Sequence, residues 1–123
     1  MGTNVIRDQT YQFALASIAV ARDLTERREY VLSRQLLRSA TSVGANVEEA
    51  LAAQSSRDFR AKFAIARKEA RESHYWLRLL RDSALLDPST AADLIDKAEF
   101  IIRILTSIIP TSEARDQPRP LTP

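Results

Sequence analysis

The chain has 123 residues, 45% of them hydrophobic and 28% charged, with no cysteine and a net charge of +2. Its length fits one domain with a modest core. The lack of thiols excludes a disulfide framework or thiolate metal site, and so small a charge excludes strong non-specific nucleic-acid binding by a single copy.

No apolar run is long enough to span a membrane. The opening "MGTNVIRDQT" has no basic stretch followed by an apolar one, so a cytoplasmic protein with no membrane partner is expected. Only two glycines occur, and the prolines stand at 88, 110, 118, 120 and 123. Nothing but caps interrupts a helix between Thr10 and Asp87, and no segment alternates with the period of a strand. The fold class is all-α.

Residues 1–7 are expected to be a flexible N-terminus. The first helix is expected over 8–24, with Tyr11, Leu15, Ile18 and Arg22 at spacings of three and four and with Phe13, Val20 and Leu24 as a neighbouring row. Residues 25–29 form the turn. Thr25 is a possible cap there, but no glycine or proline enforces a stop. The second helix is expected over 30–53, with Leu36, Ala40, Val43, Val47 and Leu51 on its core face. In the next turn Ser55 precedes Asp58 by three residues, a capping-box spacing.

The third helix is expected over 56–85. Phe59, Phe63, Ala66, Ala70, Ser73, Leu77 and Leu80 make its main stripe. Ala61, Ile65, Trp76 and Leu79 add a second strip, which predicts contact with more than one neighbour. Asp87 followed by Pro88 reads as an N-cap with proline at the first helical position. The fourth helix then runs over 88–109, stops at Pro110, and leaves 110–123 as a flexible tail. Four helices with short connections predict an antiparallel up-and-down bundle, residues 8–109.

Little in this chain has the arrangement of a catalytic site. A di-metal carboxylate site in a bundle needs Glu-x-x-His on two helices. Here the one histidine, His74, has Arg71 three residues before it and Glu72 only two before it. No motif frames His74 as part of a triad, and no glycine-rich phosphate loop is present. Glu48 and Glu49 are adjacent and point about 100° apart on a helix. No catalytic residue, metal, cofactor or small-molecule substrate is expected; an enzyme built from Glu49, Glu72 and His74 is the weakest alternative.

Two stripes remain. Gln35, Arg38, Ser42, Asn46, Glu49 and Ala53 fall in one sector of the second helix, roughly opposite its core face. They read either as a solvated face or as a packed polar seam. Short polar residues and Gly44 favour the seam, because a purely exposed face has better helix formers to choose from. On the third helix Arg57, Arg60, Arg67, Arg71, His74, Arg78 and Arg81 share about a third of the wheel. Residues 56–82 carry eight basic and four acidic side chains, whereas 88–109 carry two and three. The ridge is either a solvated face with local pairs, such as Arg78 with Asp82, or a track for the phosphates of RNA or DNA. Several copies aligning such ridges would build a strong local field. Fifteen of the eighteen basic residues are arginine, which suits ion-pair interfaces and phosphate contacts equally.

The stretches "RQLLRSATSVGANVEEA" and "FAIARKEARESHYWLRLL" resemble the bacterial four-helix-bundle proteins encoded in intervening sequences of large-subunit ribosomal RNA genes. The family pattern falls on Gln35, Arg38, Ser42, Val43, Asn46, Val47 and Glu49, with Ala50 where glycine is frequent, and then on Ala66 and Glu72. The resemblance covers the chain from about Tyr11 to Ile109. It implies an up-and-down bundle that assembles into ring-shaped homopentamers without known enzymatic activity. Accessory proteins of diversity-generating retroelements resemble the same fold and act with a reverse transcriptase and nucleic acid. That implies a possible role for the arginine ridge.

Overall fold

Proline-free stretches of helix-forming residues become long helices, and the turns between them are short. In the computed structural model, the described residues are 3–116 for the backbone and 5–109 for the side chains. They form α1 (Thr3–Glu26), α2 (Tyr30–Leu51), α3 (Ser56–Asp82) and α4 (Pro88–Asp116). Each helix packs on its sequence neighbour, and α4 closes back on α1 through the thinnest of the four interfaces. The result is an antiparallel four-helix bundle, as short connections between amphipathic helices require.

The two outer helices depart from the sequence-based expectation. The first helix starts at Thr3 rather than at 8, so 3–7 are helical and not a loose leader. Ile6 explains the extension: it is fully buried, and its carbonyl accepts the Thr10 hydroxyl at 2.8 Å. The fourth helix continues to Asp116 through Pro110, where a stop was expected. Proline there leaves the Thr106 carbonyl without its intrahelical N–H, and Thr106 is exposed, so water can satisfy that oxygen. The rest of the expected tail, 117–123, lies outside the described residues.

The core stripe of α1 is the row the sequence placed second. Ile6, Thr10, Phe13, Ser17, Val20 and Leu24 are buried, whereas Tyr11 is 60% and Leu15 47% exposed. Thr10 and Ser17 disguise this row by interrupting its apolar period. Elsewhere the core is apolar, with Leu36, Val43 and Val47 from α2, Phe63, Leu77 and Leu80 from α3, and Leu94, Ile101 and Leu105 from α4.

The turns show how the helices end without glycine. Arg28 and Ala84 both adopt the left-handed conformation, with φ of 67° and 61°. After α1 the Glu29 N–H donates to the Leu24 carbonyl at 2.8 Å, and after α3 the Leu85 N–H donates to that of Leu80 at 3.0 Å. Both are Schellman closures with a non-glycine residue in the strained position. Thr25 does not cap the turn. Its hydroxyl lies 2.7 Å from that of Ser33, which also reaches the Ala21 carbonyl at 2.7 Å and pins α2 to α1. At the other helix starts, Ser55 Oγ accepts the Asp58 N–H at 3.1 Å and Asp87 Oδ2 accepts the Thr90 N–H at 3.1 Å.

Gly44 faces α1 rather than the polar stripe. A methyl group built there would meet the Thr10 carbonyl oxygen at 3.5 Å, which is ordinary contact. Gly44→Ala is therefore expected to stabilise the fold by about 0.5–1 kcal/mol, the usual difference between the two residues inside a helix. A raised midpoint in urea unfolding is the result to look for; a lowered one would mean that α1 and α2 have no room to give.

Candidate functional site

The polar stripe of α2 meets α3 of the same chain. Arg38 is its centre. Its guanidinium lies 3.1 Å from Glu69 Oε2 and in close contact with Glu72 Oε2, and it reaches the Gln35 side-chain oxygen at 3.5 Å. Glu72 also accepts the Trp76 indole N–H at 3.0 Å. One guanidinium thus serves two carboxylates, and this small network carries a surplus negative charge. Glu69 is the buried member, with a side chain only 10% exposed, so the arginine compensates a charge that could not stand there alone.

Towards the end of α2, Glu49 pairs with Lys62 at 2.9 Å. The hydrogen bond to Glu49, and then its charge, hold the Lys62 ammonium above the ordinary lysine value. The pair is open to solvent, where such contacts contribute little to stability. Asn46 donates from Nδ2 to the Ser42 carbonyl at 2.8 Å, within its own helix. Beneath the stripe, the buried Ser39 and Ser73 hydroxyls lie 2.9 Å apart, each with a carbonyl of its own helix in reach. Gln35, Ser42 and Asn46 are half-buried, and Arg38 and Glu49 remain exposed. The stripe therefore forms the outer edge of the α2–α3 seam.

Several of these partners escaped the sequence reading. Glu69 follows Ala66 by three residues and precedes Ser73 by four, so it lies in the core stripe of α3. A carboxylate at such a position requires a cation, and that was the available signal. Nothing in the sequence pointed to Lys62 as the partner of Glu49.

The α3 arginines lie on the other side of that helix, towards α4. His74, half-buried, places Nε2 2.9 Å from Glu99 Oε2 and ties the two helices. Glu72 turns to α2 and His74 to α4, so these two do not converge with Glu49 on one site. The expected Arg78–Asp82 pair is replaced. Asp82 binds Arg81 at 2.7 Å, which lowers the Asp82 carboxyl below its usual range through that hydrogen bond, while Arg78 lies over the Tyr75 ring at 5.8 Å. Arg60 is half-buried and engaged. Arg57, Arg67 and Arg71 make no ion pair among the described residues. The described residues also hold no cluster of side chains suited to a metal ion and no helix apolar enough to cross a membrane.

A hollow of about 820 Å³ lies where α1 and α4 pack thinly, between the apolar Val20, Leu85 and Leu94 and the charged Asp23, Arg27, Arg81, Asp87 and Asp93. Its charged rim is engaged locally: Asp23 with Arg27, Arg81 with Asp82, Asp93 with Lys97, and the Asp87 carboxylate with the Thr90 N–H.

The family model described as 23S rRNA-intervening sequence protein matches residues 3–107, all but the end of the four-helix array. The chain belongs to this family. The match to the 23S rRNA-intervening sequence proteins spans both helices of the seam around Arg38. A similar solved structure is a protein of unknown function from the S23 ribosomal protein family of Bacteroides thetaiotaomicron VPI-5482. It is 39% identical, with a TM-score of 0.82 over 85% of this chain and 97% of that one. Among curated proteins this member of the family has no match.

Proposed function

We propose that this protein is a non-catalytic helical scaffold that assembles with copies of itself, in a ring of five as the family resemblance implies. The observation that carries this reading is an uncovered apolar surface. Tyr11 and Leu15 on α1 are 60% and 47% exposed, and Ile65 and Leu79 on α3 are 40% and 38% exposed. These side chains repeat at helical spacing and have no covering helix in their own chain, a pattern that marks interaction surfaces. Against catalysis stands the engagement of the polar groups: Glu49 with Lys62, Glu72 with Arg38, and His74 with Glu99. Sedimentation equilibrium over micromolar concentrations is expected to give an oligomer. A monomer throughout would overturn the reading.

A second reading, that the assembled protein binds RNA or DNA, rests on Arg57, Arg67 and Arg71. All three lie on one side of α3 without an ion pair among the described residues, next to Arg78 and Arg81. Binding is expected to weaken steeply with salt, as counterion release requires. Arg67→Glu with Arg71→Glu should abolish it and leave assembly unchanged. No binding of either nucleic acid at low salt would remove this reading.

A further inference from the structure

The two seams of α3 differ in charge. Glu69 and Glu72 turn to α2, where Arg38 meets both. The opposite side is tied to α4 by His74 and Glu99, 2.9 Å apart. Arg67 and Arg71 stand seven and three positions before His74 and share its row. The helices are antiparallel, so the His74–Glu99 pair sets their register: Arg67 is level with Thr106 of α4, and Arg71 with Ile102 and Arg103. Arg103 thus joins the ridge from a second helix. Arg71 and Arg103 are exposed and Arg67 is half-buried, and none of the three has an ion pair among the described residues. No acid occurs over 59–68 of α3 or over 100–109 of α4. This end of the seam is therefore cationic from both sides, whereas Glu99, Asp96 and Asp82 lie towards the other end.

One helical turn beyond Arg71 stands Tyr75, exposed on the crest of α3. Its ring meets the Trp76 ring edge-on, with centroids 5.2 Å apart, and the Arg78 guanidinium lies over it at 5.8 Å. These two neighbours hold the exposed ring in one place, which lowers the cost of ordering it against a partner. An aromatic ring set among free guanidinium groups is the pairing that binds unpaired nucleic-acid strands: cations follow the backbone, and bases stack on the ring.

We infer that the α3–α4 face binds a single-stranded nucleic acid, with its phosphates on Arg67, Arg71 and Arg103 and a base stacked on Tyr75. This rests on the nucleic-acid reading and names the form of strand. The planar guanidinium groups fork onto phosphate oxygens. Tyr75 takes the flat face of a base, which a duplex keeps inside its own stack. Attraction by charge alone would use the arginines and leave Tyr75 idle, so the ring is what selects an unpaired strand. The contacts reach phosphates and a base face only, so RNA and DNA strands are expected to bind alike.

Fluorescence anisotropy tests this with a labelled single strand of about 16 nucleotides and with the same sequence as a duplex. The single strand is expected to bind about tenfold or more tightly than the duplex, the worth of one stacked base. Tyr75→Ala should remove that advantage and leave duplex binding unchanged, and Tyr75→Phe, which keeps the ring, should retain it. Arg103→Ala should make the salt dependence of single-strand binding shallower by about 0.7 in the logarithmic slope, the share of one phosphate. Equal affinity for the duplex, or a Tyr75→Ala variant that binds the single strand as before, would overturn the inference and leave the nucleic-acid reading standing. An unchanged slope in Arg103→Ala would overturn the two-helix phosphate site. No binding of either form at low salt would remove both the inference and the reading beneath it.

Discussion

Replacing Phe63 by alanine is expected to lower the unfolding free energy by about 3–5 kcal/mol, the range for removing a large aromatic from a closed core. Phe63 is fully buried, and its ring meets the edge of Phe59 with centroids 4.5 Å apart. It stands in the first half of α3, beneath α2, so the void would open under the seam that carries the family motif. Urea unfolding followed by circular dichroism measures the loss directly. A cost near 1 kcal/mol would mean that α2 and α3 collapse into the space, and that the seam is looser than its buried side chains indicate.

Removal of the Arg38 guanidinium should have the second largest effect. Arg38→Ala leaves Glu69 buried and Glu72 half-buried without their cation. The expected loss is about 2–3 kcal/mol, below the 3–5 typical of wholly buried pairs because Arg38 is itself half open to water. The informative comparison is the double variant Arg38→Ala/Glu69→Gln. Removing the orphaned charge should recover about 1–2 kcal/mol, and that coupling is what a double-mutant cycle reads. Simple additivity of the two changes would show that Arg38 acts by packing its stem and not through Glu69.

The bundle was legible in α2 and α3 because their buried residues are apolar at spacings of three and four. Leu36, Val43 and Val47 on one helix and Phe63, Leu77 and Leu80 on the other leave little choice of face. In α1 the same logic gave two rows, and the one it put first, with Tyr11 and Leu15, is the exposed one. Thr10 buries its hydroxyl against the Ile6 carbonyl, so a polar residue holds a core position that hydropathy alone assigns to solvent. The turn at 25–29 was placed, but Arg28 and Ala84 hid how the helices close, since neither signals a left-handed backbone. For the candidate site, the α2 stripe could be drawn from its own helical wheel. Its partners could not, because a wheel carries no information about which residue of α3 stands opposite Arg38 or Glu49.

The thin contact between α1 and α4 also decides how the molecule opens. The middle helices α2 and α3 each pack closely against two neighbours, whereas the first and last meet across a hollow of about 820 Å³. Local opening favours regions of low contact density, so that edge is where an excursion short of unfolding is expected. The bundle is then expected to act as a hinged sheet of four rods, with amide hydrogens exchanging faster along the closing edge than in the spine of α2 and α3.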